Sequence, residues 1–363
     1  MPFPRITMKD VARKSGVHVS TVSLALRNSA ELPVATREKI QAVAREMGYH
    51  ADPMLSALLA YRSGTTPPRY QATVAMIYDF ENAAELDQAG ASYRNFFTGV
   101  ASKGEELGYK VQRFFFDGPN REGEGRRLGR VLNASGIRGV ILGAFRPRTS
   151  SFQLDWDQFS VVQIESQHLA LSLPMVSTDQ VTMAREAVRR LWQKGYRRIG
   201  IAVGREEEIY LDHAFTVGFF GEAGLHPELK PARPLLLTNG QTWEEVGREL
   251  RQWISRNRLE AVVSNWTNTL NALHATGGSS AADPVVVELA AEPEPGLFGG
   301  MVQRDAVVGE RAMEQLAMLL KTNQTGTVDK PNRILIPGLW IDGTQSTAKL
   351  GRARAKAAAA VAS

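Results

Sequence analysis

Residues 7–27 read TMKDVARKSGVHVSTVSLALR, two short helical patterns separated by one glycine. Thr7 suits the cap of a first helix with Asp10 three residues on, and Met8, Val11 and Ala12 then form a narrow apolar stripe. Ser15-Gly16-Val17 stops that helix, because Gly16 supplies the left-handed backbone that a tight turn between helices needs. Apolar residues resume at Val19, Val22 and Leu26 on a second short helix. Neither helix buries enough surface alone, so a third must close the core. Val34 to Met47 provides it, with Ile40, Val43, Ala44 and Met47 on one face and Gly48 as its stop. The product is an all-α three-helix head with a helix-turn-helix, of roughly fifty residues, the size of a DNA-reading module.

The outward positions of the second helix, Val19, Ser20, Thr21, Ser23 and Leu24, are short, which suits entry into a major groove about 12 Å wide. A small helical bundle with a polar face is the bland alternative, and charge argues against it. Residues 1–62 hold nine Lys and Arg against five Asp and Glu, a net +4. Residues 349–363 add four bases and no acid, and with the whole chain at +5 the remainder is −3. The basic excess therefore sits on head and tail, as counterion release at phosphates requires.

GVHVSTVSLALR, then Thr36-Arg37-Glu38-Lys39-Ile40, then Met47-Gly48-Tyr49 together resemble the head of LacI-type (LacI/GalR) bacterial transcriptional regulators. The resemblance is specific over the head and weaker on to about Ser346. It implies a homodimeric repressor that binds a pseudo-palindromic double-stranded operator under control of a small-molecule effector. It also implies a hinge helix in HADPMLSALLAYR, where Asp52 can cap and Pro53 suits the first turn. About two and a half turns are too short to persist alone, so folding on DNA is expected. By register the resemblance makes Leu58 the minor-groove wedge, with Met54, Leu55 and Leu59 on the face where two hinge helices meet. Leu55 departs from the small residue usual in that family. A docked segment with no role in DNA binding is the competing reading of these leucines.

Thr7, Ser15, Ser23, Asn28 and Arg37 suit phosphates, and His18 stands where it can cap the second helix or touch one. Base readout falls to Val19 and Ser20, then Leu24. Relatives place an arginine at the Leu24 position, so guanine dependence should be weaker there, with Arg27 one turn on in partial compensation.

Residues 1–6 have no apolar run or cleavage site, and no window of eighteen apolar residues occurs, so neither export nor a membrane is expected. Cysteine is absent, and the cytoplasm is the expected location. The expected domains are 1–50 head, 51–62 hinge, 63–71 linker, 72–346 two-lobed domain and 347–363 a disordered basic tail.

From Ala72 the pattern changes. ATVAMIY is a buried-strand run, followed by the helix 96–107, strand 110–116, helix 125–132 and strands 139–144 and 160–164. The helix 179–194 precedes a second series: strand 198–203, helix 215–223, strand 234–237, helix 243–257, strand 261–263, helix 267–274 and strand 285–289. Two such series predict α/β lobes, each a doubly wound parallel sheet, with a cleft at the strand ends. The resemblance, to a periplasmic-binding-protein-like fold, returns helix 306–320 to the first lobe and strand 332–336 to the second. The first lobe is then about 72–196 and 303–329, and the second about 197–302 and 330–346, with dimerisation through the helix Tyr93 to Leu107.

Ligand candidates are Tyr78, Asp79, Phe80, Arg146 and Glu165 at strand ends, with Asp179, Phe215 and Trp266. The resemblance places Asp179 where relatives often use an acid, Phe215 where they grip with arginine, and Trp266 and Leu289 where they carry aspartates. Aromatics there suit stacking on a flat or apolar ligand, and ordinary core packing is the alternative. Glu206-Glu207-Glu208 reads as a solvated loop.

Nothing in the chain resembles catalytic machinery. His18, His50, His168, His213, His226 and His274 have neither metal-ligand spacing nor a neighbouring nucleophile elbow. The glycines near Gly118 to Gly125 lack the dinucleotide spacing. No cofactor or metal is expected. A solute-binding receptor of the same two-lobed fold and a cleft enzyme with an accessory head are the rival classes.

Overall fold

The computed structural model describes residues 7–26, 31–47, 71–116, 121–146, 149, 151–169, 171–238, 240–266, 269, 272, 273, 276, 284–291 and 299–342. The hinge segment, residues 63–70 of the linker, the tail, Arg27, Asn28 and Leu58 lie outside the described residues, as does most of the expected helix 267–274.

Three helices form the head: α1 (Met8–Ser15), α2 (Val19–Leu26) and α3 (Val34–Glu46). Thr7 and Asp10 cap α1 reciprocally: Asp10 N–H donates to Thr7 Oγ1 at 3.4 Å and Thr7 N–H to Asp10 Oδ2 at 2.9 Å. Gly16 follows with φ +67°, the left-handed turn expected there. Val11, Ala12, Val22, Ala25, Ile40 and Ala44 make the core the three stripes require. The Lys14 ammonium, 2.8 Å from Glu46, pins α1 to the end of α3.

Two six-stranded sheets follow. The first contains β1 (Ala72–Tyr78), β2 (Tyr109–Phe115), β3 (Gly139–Leu142), β4 (Ser160–Ile164), β5 (Met175–Thr178) and, from near the end of the chain, β11 (Arg333–Ile336). Its order is β11-β5-β4-β3-β1-β2, parallel throughout. The second contains β6 (Ile199–Gly204), β7 (Leu235–Leu237), β8 (Ala261–Ser264), β9 (Val285–Glu288), β10 (Gly300–Val302) and β12 (Leu339–Ile341), in the order β12-β10-β9-β8-β6-β7. Among the described strands only β12 runs antiparallel to its neighbour.

Helices cover both sheets. In the first lobe these are α4 (Ala83–Ala89), α5 (Ala91–Glu106) and α6 (Arg121–Ala134), with α11 (Asp305–Thr322) returning from the second lobe to pack beside α5. In the second they are α7 (Gln180–Gln193), α8 (Arg205–Tyr210), α9 (Ala214–Ala223) and α10 (Trp243–Asn257).

Three expectations are corrected. Strand 333–336 joins the first sheet, each residue paired with β5 from Arg333↔Met175 to Ile336↔Thr178, and β12 alone crosses to the second. Helix 180–193 packs on the second lobe's core through Met183, Ala187 and Leu191, because the chain crosses at Asp179, before the helix rather than after it. The acidic run 206–208 is helical: it opens α8, where carboxylates favour the helix N-terminus, and Glu208 is only 1% exposed. Glu207 folds back over Gly204, where a Cβ would collide with its carboxylate.

Candidate functional site

In the head, α2 is held at its start by His18. The His18 carbonyl accepts from Thr21 N–H at 3.0 Å and Val22 N–H at 3.2 Å, and its Nδ1 lies 3.3 Å from Ser20 N and 2.8 Å from Ser20 Oγ. His18 and Ser20 are exposed, and Thr21, Ser23 and Leu24 are half-buried. Val19 is also half-buried and packs on the head's core, which leaves only part of its side chain for a partner. Thr7 is exposed and Arg37 half-buried, whereas the Ser15 hydroxyl is buried.

In the body, strand order reverses at β1, which lies between β2 and β3, and at β6, which lies between β7 and β8. Loops leaving such a point diverge and open a crevice at the carboxyl ends of the strands. Asp79 follows β1 and Arg146 follows β3. Asp79 Oδ2 accepts from Arg146 N–H at 2.8 Å and Thr149 Oγ1 at 2.7 Å, while the Arg146 guanidinium also reaches the Asp79 carbonyl and sits 2.6 Å from Glu85. The same guanidinium lies 3.9 Å above the Phe80 ring, which meets Tyr93 edge-on at 5.0 Å.

Glu165 ends β4 with φ +53°, followed by Ser166 at +60°. Such consecutive left-handed, non-glycine residues carry strain that surrounding bonds must hold. Glu165 is 3% exposed and accepts from Thr178 N–H at 2.9 Å, Ser177 Oγ at 2.9 Å and Gln180 Nε2 at 3.0 Å. Burial pushes its carboxyl up to about 7 despite those bonds, and Asp305 adds to the rise.

From the second lobe, Tyr210 at the end of α8 packs against the cores of both lobes. Its hydroxyl is buried close to Ser166, and burial, with Glu165 and Tyr93 nearby, raises its pKa well above the usual phenol value. Burial also raises Glu207, Glu208 and Asp305 above ordinary carboxylates. Asn265 Oδ1 accepts from Gly204 N–H at 3.0 Å and so joins the ends of β8 and β6.

The structure thus brings Asp79, Phe80, Arg146 and Glu165 to one end of the first sheet. Asp179 caps α7, accepting from Thr182 N–H at 3.0 Å. Tyr78 stacks on Phe115 and Phe215 lies in the second lobe's core, both fully covered in this conformation. Trp266 leans on Trp243 at 6.2 Å, away from the Asp79 cluster's own partners. Tyr93, Tyr210, Gln180 and Asp305 were not legible as site residues; an aromatic closing an acidic run was the only local sign of Tyr210. A shallow groove of about 610 Å³ lies elsewhere, along α6, and its Asn133 and Gln158 are bonded to each other at 2.6 Å. Among the described residues no group of three or more metal-type ligands occurs, and no helix is long and apolar enough to cross a membrane.

Residues 7–52 match the family model described as bacterial regulatory proteins, lacI family. Its head is thus similar to that of lacI-family regulators. The HTH-type regulator GalR of Streptococcus thermophilus is 28% identical to this chain over 204 residues, 55% of each protein. The HTH-type repressor CytR of Escherichia coli K12 is 29% identical over 202 residues, 55% of this chain and 54% of CytR. The chain therefore spans about half the length of these curated relatives. Among solved structures, a complex of the regulator CelR with cellobiose matches with a TM-score of 0.58 at 20% identity, covering 94% of this chain and 100% of that one. The lac repressor dimer bound to operator and an anti-inducer matches with a TM-score of 0.55 at 16% identity, covering 94% and 99%. These two likenesses establish the fold, head and two lobes together.

Proposed function

We propose that this protein is a sequence-specific DNA-binding transcriptional regulator, a repressor, that grips a two-fold symmetric operator as a homodimer and answers to a small molecule held between its lobes. The match of residues 7–52 to the lacI-family head carries the reading. It is supported by an α2 whose exposed Ser20 and partly exposed Leu24 offer short side chains to a major groove. Thr7, His18, Ser23 and Arg37 then serve phosphates, with Arg27 and Asn28 beyond α2, and Leu58 enters the minor groove from a hinge over 51–62.

The effector site is assigned to the strand ends around Asp79, Arg146 and Glu165, with Tyr93 and Tyr210 as walls. In place of free anchoring arginines it offers an Arg146 already engaged by Asp79 and Glu85, and a carboxyl titrating near neutrality. That donor set suits a small polar molecule with an aromatic or flat face. The protein acts by binding rather than by catalysis, in the cytoplasm, and its relatives are regulators.

A gel-shift titration of the full chain on a randomised symmetric duplex library, from low to moderate salt, tests the reading. A steep salt slope and a selected palindrome are expected. Equal affinity for all duplexes, or none, overturns it. A thermal-shift screen over small metabolites then locates the effector, whose binding raises apparent stability by mass action.

A further inference from the structure

We propose that His18 fixes Ser20 as a hydrogen-bond acceptor only, so that on the strand Ser20 faces the protein selects an amino-bearing base, adenine or cytosine, over guanine or thymine. The inference deepens the DNA-binding reading and rests on it.

The geometry at the start of α2 leaves one proton arrangement. The Ser20 backbone N–H lies 3.3 Å from His18 Nδ1, and a backbone N–H only donates. Nδ1 must therefore present its lone pair, which puts the ring proton of a neutral imidazole on Nε2. The same Nδ1 is 2.8 Å from Ser20 Oγ. Having no proton to give, it accepts there too, and the serine hydroxyl is the donor. That hydroxyl has one proton, now spent inside the protein. What Ser20, exposed on α2, turns outward is lone pairs alone.

An unconstrained serine reads either kind of base edge, because its hydroxyl rotates to donate or accept. In the major groove the donors are adenine N6 and cytosine N4, while guanine O6 and N7 and thymine O4 accept. A hydroxyl whose proton is committed to Nδ1 meets the first pair with a hydrogen bond and the second with lone pair against lone pair. His18 acts through Ser20 and is a positioning residue: it turns an ambiguous reader into a selective one.

The test is binding-site selection with the full chain on a randomised two-fold symmetric duplex, comparing wild type with Ser20→Ala, His18→Gly and His18→Asn. Glycine is nearly as good a helix N-cap as serine or asparagine, so His18→Gly keeps α2 while freeing the hydroxyl. Asparagine keeps an acceptor oxygen facing Ser20. Wild type is expected to favour adenine or cytosine at one position per half-site by about tenfold, the value of roughly one net hydrogen bond. Ser20→Ala loses the preference, His18→Gly narrows it to about twofold, and His18→Asn restores it. A guanine or thymine preference in wild type, an unchanged preference in His18→Gly, or its loss in His18→Asn overturns the inference while leaving DNA binding intact. Failure of wild type to bind any duplex at low salt overturns both this inference and the regulator reading.

Discussion

Thr178 donates its backbone N–H to Glu165 Oε1 at 2.9 Å, tying the end of β4 to the end of β5 where the chain leaves the first lobe. Glu165 is thereby held at a crossing between lobes, in a left-handed conformation and almost without solvent. A carboxyl so placed makes stability depend on pH.

The sign follows from proton counts. Between its ordinary value near 4.5 and its folded value of about 7, Glu165 holds a proton in the native state that the unfolded chain has released. The unfolded state binds fewer protons there, so stability from this residue is full below 4.5, falls as pH rises to 7 and is flat above. Glu165→Gln cannot ionise. Urea unfolding at pH 4.5, 6 and 7.5 should show the variant gaining on wild type by on the order of 2 kcal/mol across that range. Parallel curves would remove Glu165 from the account.

Helices α5 and α11 approach backbone to backbone. A Cβ at Gly99 would run into the carbonyl oxygen of Ala306, and one at Gly309 into that of Phe96. Neither obstacle is a side chain that can swing aside. Gly99→Ala and Gly309→Ala should each cost about 3 kcal/mol, at the upper end for overpacking, measured as a shift in urea midpoint. A change below about 0.5 kcal/mol in both would mean the helices sit further apart.

Tyr210 is the wedge between lobes. Since its ring packs on both cores, Tyr210→Ala should cost about 2–3 kcal/mol and loosen the lobes against each other, seen as faster proteolysis near residues 178–180 and 336–339. Tyr210→Phe keeps the ring and should keep most of the stability. Equal sensitivity of both variants would shift the weight from packing to the hydroxyl.

Legibility followed from how local each signal is. ATVAMIY became β1 over residues 72–78, and 243–257 became α10 with its Thr242–Glu245 capping box, because burial pattern and cap chemistry lie within the segment. Strands of three or four residues such as MVST, GMV and LWI have too few positions to show a period, and β5, β10 and β12 went unread. The sheet that β11 joins depends on where the chain crosses between lobes, which no stretch of ten residues encodes. The cap by His18 was readable two residues from its partner, but Arg146 and Asp79 meet across 67 positions and Tyr210 reaches Ser166 across lobes. The carboxylate and arginine were nameable as strand-end residues; that they neutralise each other was not.

Leu24 lies on α2 two positions beyond Val22, which is wholly buried, and keeps part of its side chain exposed. An aliphatic group there can touch a thymine methyl but cannot make the two hydrogen bonds that a guanidinium forms with guanine O6 and N7. Wild-type selection should therefore show little guanine enrichment that depends on residue 24. Leu24→Arg supplies the missing fork, and because Leu24 is not part of the head's core the substitution should leave its melting unchanged. The variant should then discriminate for guanine at one position per half-site by about 1–3 kcal/mol, or roughly ten- to a hundredfold. Strong guanine selection by wild type that vanishes in Leu24→Ala would overturn this assignment, whereas guanine selection that persists in Leu24→Ala would place the guanine contact on a neighbouring residue of the same face.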